Sequence, residues 1–148
     1  MEITLKPVND QNRAAILQLS VRDDQPFIAS NARSLETAEE NPGIARPFAI
    51  YAGDRPVGFT MFAFDEEYED PEDRYWLWRF MIDKDEQGKG YGKAALEEII
   101  RYFREQKANV VTLSTKPENE TALHLYHQFG FLENGEMNDG EIVLKLTL

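Results

Sequence analysis

The segment from Gln87 to Lys93, Gln-Gly-Lys-Gly-Tyr-Gly-Lys, places three glycines within five residues at the start of a long helical pattern. The run before it, Tyr75 to Ile82, is aromatic and apolar and is typical of a strand. Glycines at a strand-to-helix junction let backbone N–H groups approach a ligand, and the start of a helix attracts phosphate oxygens. Lys89 and Lys93 add positive charge. The segment therefore predicts a site for a nucleotide-like cofactor that carries a pyrophosphate.

The composition limits the classes of protein to which the chain can belong. Its 148 residues predict one domain over 1–148, and 42% hydrophobic residues argue against disorder. A net charge of −11, from 27 acidic and 16 basic residues, disfavours nucleic acid and anionic membranes as partners and favours a cationic one. The absence of cysteine excludes disulfides and thiolate nucleophiles. With no signal pattern and no apolar run near about 20 residues, we expect a soluble, cytoplasmic protein.

Hydrophobic periodicity predicts a mixed α/β (α+β) fold with the element order β-α-α-β-β-β-α-β-α-β-β. This order describes a mixed, mostly antiparallel sheet of about seven strands, flanked by about four helices. Asn9 or Asp10 is expected to cap the first helix, with Leu17 on its apolar face, and the second helix is expected near Ser34. The predicted strands cover 3–7, 48–52, 57–64, 75–82, 110–113, 131–132 and 141–148, and the two long helical patterns cover 92–103 and 119–129.

A second motif begins the last helical pattern. Asn119 and Tyr126 are seven residues apart, which is about two helical turns, so the two side chains are expected on one face. Gly130 follows as a helix C-cap would. From the residues alone, Tyr126 is either a functional group or a member of the apolar stripe that also includes Phe129.

These two motifs resemble those of the GNAT family of N-acetyltransferases, and the resemblance covers essentially the whole chain. The family's acetyl-CoA signature, Gln/Arg-x-x-Gly-x-Gly/Ala after the fourth strand, reads Gln87-Gly88-Lys89-Gly90-Tyr91-Gly92 here. The resemblance implies the GNAT fold and direct transfer of acetyl from acetyl-CoA to a primary amine, with Tyr126 as the catalytic residue that protonates the departing thiolate. The cofactor-binding residues that it implies are Phe80, Met81, Ile82, Gln87, Gly88, Lys89, Gly90, Tyr91, Gly92, Lys93, Asn119, Ala122 and Tyr126, the first three through their backbone.

Within the family, the chain is most similar to bacterial spermidine/spermine acetyltransferases. The similarity rests on four segments, 12–17, 56–59, 76–80 and 125–131, and it implies a polyamine acceptor. Related enzymes can carry a carboxylate on the fourth strand, and the matching position here is Trp78, next to Arg79. Either another carboxylate replaces it, or water relays the proton, or the substrate differs; the carboxylate candidates are Glu36, Glu39, Glu40, Glu66, Glu67 and Asp73. The substrate-binding residues expected are Glu36, Glu39, Glu40, Glu67, Trp78 and Arg79.

Several alternatives and expectations accompany this interpretation. The acceptor is a polyamine or another primary amine, such as a protein N-terminus, a lysine, an amino acid or an aminoglycoside. A non-catalytic acetyl-CoA sensor is the alternative from a different class. The acidic stretch 65–73 either attracts polycations or is an ordinary solvated loop. No metal is expected, and the resemblance implies a possible homodimer formed through the C-terminal strands.

Overall fold

The computed structural model describes residues 2–26 and 28–148. In this part of the chain there are seven strands and four α-helices, which confirms the predicted fold class. The strands are β1 (Ile3–Pro7), β2 (Ala45–Ala52), β3 (Arg55–Phe64), β4 (Tyr75–Ile82), β5 (Val110–Thr115), β6 (Leu132–Asn138) and β7 (Glu141–Thr147). The helices are α1 (Arg13–Gln18), α2 (Asn31–Glu40), α3 (Tyr91–Glu105) and α4 (Glu120–Gln128).

The strands form one mixed sheet in the order β1-β2-β3-β4-β5-β7-β6. Neighbouring strands are antiparallel except β4 and β5, which are parallel. Parallel neighbours need a crossover connection, and α3 supplies it. Because α3 follows the glycine segment, the crossover begins where the sequence predicts the cofactor loop.

Four local predictions differ from the structure. Asn9 does accept hydrogen bonds from the N–H groups of Gln11 and Asn12, but the helix begins only at Arg13. The prediction that Leu17 lies on the apolar face was wrong, because its side chain is 41% exposed. Ile16 alone is buried in this six-residue helix, and the side chain of Leu17 points about 100° away from it.

The second helix begins at Asn31 rather than near Ser34. The Ser30 side chain accepts a hydrogen bond from the N–H of Arg33 and thereby caps the helix one turn earlier than predicted. Asn31 is buried and donates from Nδ2 to the carbonyl oxygen of Ile16 at 2.8 Å. This buried hydrogen bond connects α2 to α1. Hydrophobic periodicity does not predict it, because both partners are polar groups. The strand expected at 131–132 also continues to Asn138 as β6.

Hydrophobic side chains cover both faces of the sheet. On one face, Ile16 and Leu35 from α1 and α2 pack on Phe59, Met61 and Met81. On the other face, α3 and α4 share one cluster with β3, β4, β5 and β7. The buried members that α3 contributes to it are Leu96, Ile99, Ile100 and Phe103, as the helical pattern predicts.

The sheet opens between β4 and β5. These strands pair only at Trp76 with Thr112 and at Leu77 with Leu113. The register between β3 and β4 shifts at the same level, because Met61 pairs with Arg79 and Phe62 with Leu77. Trp78 is therefore the extra residue of a β-bulge, which bends its strand and interrupts regular pairing. Beyond the bulge, the rest of β4 has β3 as its strand partner and leaves an opening toward β5.

Gly58 holds the opened part of β4 against β3. A Cβ atom at this position would collide with the Met81 carbonyl oxygen and would lie 3.0 Å from Ile82 Cδ1. The missing side chain thus allows the two backbones to approach closely at the end of β4.

We expect Gly58→Ala to destabilise the protein by about 1–3 kcal/mol, because β4 must move to admit the methyl group. Thermal denaturation should report a Tm lower by about 3–10 °C. Gly92→Ala is the matched control, since its Cβ would meet side chains only at 3.8 and 3.9 Å. An equal Tm for the two variants would contradict this role of Gly58.

Candidate active site

The free edge of β4 is formed by backbone groups of Phe80 and Ile82. The Met81 carbonyl faces β3, as the contact with Gly58 requires. Successive residues of a strand turn their backbone groups to opposite sides, so those of Phe80 and Ile82 face the opening. Gln87 Nε2 donates to the Ile82 carbonyl oxygen at 2.9 Å, which is consistent with this orientation. Of the three backbone ligands predicted on this strand, two thus face the opening.

The glycine segment forms a tight loop before α3. Gly88 and Gly90 have φ of 77° and 84°, in the left-handed region where side chains are disfavoured. A Cβ at either position would meet nothing within 4 Å, so the space beside the loop is open. Gly90 is the N-cap of α3, and no side chain caps this helix. The loop therefore presents backbone N–H groups and the positive end of the helix dipole, as an anion site requires.

The buried carboxylate of Glu86 contacts cationic side chains of this loop and of β3. Glu86 is 8% exposed; it lies 3.2 Å from Lys89 Nζ and 3.0 Å from Arg55 Nη2. Burial raises the pKa of Glu86, but hydrogen bonds from Lys89 and Arg55, with their positive charges, outweigh burial and lower it overall. Arg55 also reaches the Tyr91 hydroxyl at 3.4 Å. Lys89 is thus fixed to the base of the loop, a contact for which the sequence contains no signal.

A cavity of about 360 Å³ extends from the glycine loop to the start of α4; we call it the cofactor cavity. It combines the end of β4, the loop and one face of α4. The predicted cofactor-binding residues that line it are Phe80, Met81, Ile82, Gln87, Gly88, Tyr91, Gly92, Asn119, Ala122 and Tyr126.

The other three predicted cofactor residues, Lys89, Gly90 and Lys93, belong to the same loop and helix start but do not line the cavity. Lys93 is exposed and forms no ion pair with any residue in the described part of the chain. The segment between α1 and α2 also lines the cavity, which sequence reasoning missed. Its contributions are Val21, Arg22, Gln25 and Ile28.

Tyr126 is both a core residue and a cavity residue. Its ring is 7% exposed and packs edge-on against Phe131, with 5.7 Å between centroids. Its hydroxyl has no hydrogen-bond partner among residues 2–26 and 28–148. Burial raises the pKa of Tyr126 well above its ordinary value, so the phenol keeps its proton at neutral pH. The sequence left open whether Tyr126 is a functional group or a member of the apolar stripe, and its position is compatible with both.

Asn119 lies at the N-terminus of α4, where its Oδ1 accepts a hydrogen bond from the Ala122 N–H at 3.3 Å. Tyr126 lies two turns further along the same helix. Both residues line the cofactor cavity and also a smaller cavity of about 170 Å³, which we call the inner cavity. The expected common face of Asn119 and Tyr126 thus lies where the two cavities meet.

The inner cavity leads to an outer cavity of about 250 Å³ on the far side of the opening. The two share walls from β4, β5 and the start of β7. The shared residues are Leu77, Trp78, Arg79, Ser114 and Glu141. The cofactor, inner and outer cavities therefore form a series through the opened sheet, with Tyr126 between the first two.

Two of the predicted substrate-binding residues, Trp78 and Arg79, lie in this series. Arg79 Nε donates to Ser34 Oγ at 3.2 Å, and its Nη1 donates to the Trp78 carbonyl oxygen at 2.9 Å. Burial lowers the pKa of Arg79, and the negative charge of Glu141 opposes part of this change. Ser114 and Glu141 are cavity residues that sequence reasoning missed.

The four predicted carboxylates lie elsewhere on the surface. Glu36 and Glu40 both pair with Arg33, and Glu39 pairs with Arg13. Glu67 is an exposed residue of the loop between β3 and β4. None of these four lines the cofactor, inner or outer cavity. Their roles in substrate binding stay predictions.

Residues 2–26 and 28–148 contain neither a candidate metal cluster nor a candidate membrane-spanning helix. No group of three or more His, Asp or Glu side chains there is arranged to hold a metal ion. No helix there is long and apolar enough to cross a membrane.

Residues 11–131 match the model of the Acetyltransferase (GNAT) family. The chain belongs to this family. Its curated relatives include the "Spermine/spermidine N(1)-acetyltransferase" of Bacillus subtilis, which is 40% identical over 97% of each chain. A "Probable spermine N(1)-acetyltransferase" of Bacillus subtilis subsp. natto is 41% identical over the same share of each chain. The predicted family and the similarity to polyamine acetyltransferases are confirmed.

Solved structures of other acetyltransferases share the fold. An acetyltransferase from Thermus thermophilus has a TM-score of 0.77 at 22% identity and covers 100% of this chain and 98% of its own. PaiA N-acetyltransferase from Thermoplasma acidophilum, solved in complex with coenzyme A, has a TM-score of 0.73 at 12% identity with full coverage of both chains. At these identities the likeness supports the fold alone.

Proposed function

We propose that this protein is an acetyl-CoA-dependent N-acetyltransferase that transfers acetyl directly to a primary amine of spermine or spermidine. The observation that carries the proposal is Tyr126, which lines both the cofactor cavity and the inner cavity and whose hydroxyl has no hydrogen-bond partner among residues 2–26 and 28–148. The polyamine acceptor is supported by the printed functions of the two Bacillus relatives at 40% and 41% identity.

Acetyl-CoA fits the features of the cofactor cavity as a co-substrate. The uncapped start of α3 and the open space at Gly88 and Gly90 suit the pyrophosphate. The backbone groups of Phe80 and Ile82 suit the amide-containing arm, which can join β4 as an added strand. The co-substrate supplies the acetyl group as a thioester, close to Tyr126.

The chain's own groups supply the remaining chemistry. Backbone N–H groups of β4 are suited to stabilise negative charge on the thioester carbonyl oxygen as the amine attacks. Tyr126, a neutral phenol at pH 7, donates its proton to the departing sulfur. The proton that the attacking nitrogen loses as the amide forms passes through water and restores the phenol, so that amine and thioester give amide and thiol. The chain contains no cysteine, which agrees with direct attack by the amine rather than a cysteine-bound acyl intermediate.

The acceptor approaches from the outer cavity in this proposal. The net charge of −11 produces a negative electrostatic potential that attracts a polycation. The acidic loop 65–73 adds to this potential, which salt screens. The indole rings of Trp76 and Trp78 line the outer cavity, where they suit contact with alkylammonium groups. The predicted homodimer stays a prediction; β6, at one edge of the sheet with every residue exposed, offers a surface for it.

The first test is release of thiol from acetyl-CoA with a panel of amines. We expect saturable turnover with spermine and spermidine, and weaker turnover with putrescine, a lysine peptide and an aminoglycoside. Binding of acetyl-CoA without turnover of any amine would contradict the enzyme proposal and favour a sensor. Turnover of the peptide or the aminoglycoside alone would contradict the acceptor.

We expect Tyr126→Phe to lower kcat by about 10²–10⁴-fold, because the variant keeps the ring packing but loses the proton donor. The acetyl-CoA Kd should change little. Tyr75→Phe is the matched control, since the Tyr75 hydroxyl donates a hydrogen bond to the Gln106 carbonyl oxygen and Tyr75 lines none of the three cavities. Equal kcat values for the wild type and Tyr126→Phe would remove Tyr126 from the chemistry.

We expect Gly90→Ala to weaken acetyl-CoA binding at least about tenfold, because a left-handed residue with a side chain strains the loop that faces the phosphates. Isothermal titration calorimetry measures the Kd. Gly43→Ala is the matched control: Gly43 has φ of 82° and open surroundings, but lies in the turn after α2. Both variants should lose similar stability. Loss of affinity in both, or in neither, would argue against a phosphate site at the loop.

A further inference from the structure

Glu141 occupies the boundary between the inner and outer cavities. It is the first residue of β7, is partly buried and lines both cavities. Its Oε1 accepts a hydrogen bond from Ser114 Oγ at 2.9 Å. Ser114 belongs to β5, the strand that leaves β4 at the opening, so the carboxylate is fixed on the wall opposite Trp78.

Glu141 has no ion-pair partner among residues 2–26 and 28–148, although the Arg79 guanidinium lies close enough to feel its charge. Within residues 2–26 and 28–148, no cationic nitrogen lies within 4.0 Å of its carboxylate, in contrast to the paired Glu36, Glu39 and Glu40. It is also the one carboxylate among the described residues that line the inner cavity. A partly buried carboxylate with a single hydroxyl donor retains capacity for a charged donor.

The other charges of the inner cavity are positive. Arg79 and Lys116 line it, and the Arg79 guanidinium is fixed by Ser34 and by the Trp78 carbonyl. Two positive charges favour the neutral form of an amine nearby, and the neutral form is the nucleophile. A protonated nitrogen of the same acceptor is stabilised only close to the carboxylate. The cavity charges therefore separate a site for a neutral amine from a site for an ammonium group.

We propose that Glu141 binds a non-reacting ammonium group of the acceptor and thereby selects amines that carry a second positive charge. The inference rests on the proposed function, for which it identifies the specificity-determining carboxylate. A polyamine has the required form: one terminal nitrogen reaches the Tyr126 hydroxyl through the inner cavity, and the next nitrogen remains charged beside Glu141. The carboxylates predicted from the sequence are not needed for this contact.

The test compares Glu141→Gln with the wild type. We expect the variant to raise the KM for spermidine by about 10–100-fold, because a charge-assisted hydrogen bond is lost. The KM for acetyl-CoA should stay within about twofold, and the pH dependence of kcat should not change. Putrescine and n-pentylamine have similar lengths, but n-pentylamine lacks the second ammonium group. The ratio of kcat/KM for putrescine to kcat/KM for n-pentylamine should fall toward one in the variant.

Two further variants separate this role from general effects. Glu136→Gln removes the same charge from the neighbouring strand β6, outside the cavities, and should leave both KM values unchanged. Ser114→Ala keeps the carboxylate but removes its hydroxyl donor, so the KM for spermidine should rise by a smaller factor. This second variant tests the site even if Glu141→Gln folds poorly, which thermal denaturation would reveal.

The outcomes distinguish the inference from the function on which it rests. Wild-type turnover of spermidine with an unchanged KM in Glu141→Gln overturns the role of Glu141 alone. A fall in kcat with loss of one limb of its pH profile also overturns it, because that result identifies a general base. Absence of wild-type turnover with every amine overturns both the inference and the proposed function.

Discussion

The separation of β4 from β5 after Leu77 is the constraint on which the rest of the site depends. A continuous ladder between these strands would use the backbone groups of Phe80 and Ile82 in the sheet. The bulge at Trp78 ends regular pairing at that level, and Gly58 keeps the freed part of β4 against β3. The opening thus combines an accessible strand edge with a rigid support, and all three cavities border it.

The hydrophobic core fixes the reactive group at this opening. Tyr126 packs against Phe131 in the cluster that α3 and α4 share with the sheet. The same burial that holds the ring raises the pKa of the hydroxyl further above neutral pH. The packing of the core therefore fixes the position of the reactive group, so the stability of the fold and the geometry of the site share one structural origin.

The carboxylates of this chain have two kinds of electrostatic effect, one at long range and one local. Most carboxylates are exposed, many of them paired, and contribute mainly a long-range field that salt screens. Two partly or fully buried carboxylates have local roles that depend on their partners. Glu86 is compensated by ion pairs with Lys89 and Arg55 and stabilises the loop. Glu141 accepts a hydrogen bond from Ser114 and forms no ion pair among the described residues, so it retains its attraction for a cation. Net charge alone does not distinguish these roles.

The sequence by itself determined the elements whose signals are local. The aromatic run of β4, the glycine loop, the apolar stripe of α3 and the seven-residue spacing from Asn119 to Tyr126 all lie where periodicity and spacing predict them. The helix start at Asn31 escaped prediction because its buried contact is tertiary. Glu141 escaped because Ser114 lies 27 residues away in sequence and meets it only through pairing of β5 with β7. Strand pairing is non-local, so the tertiary structure alone decided that Glu141 lines both the inner and the outer cavity.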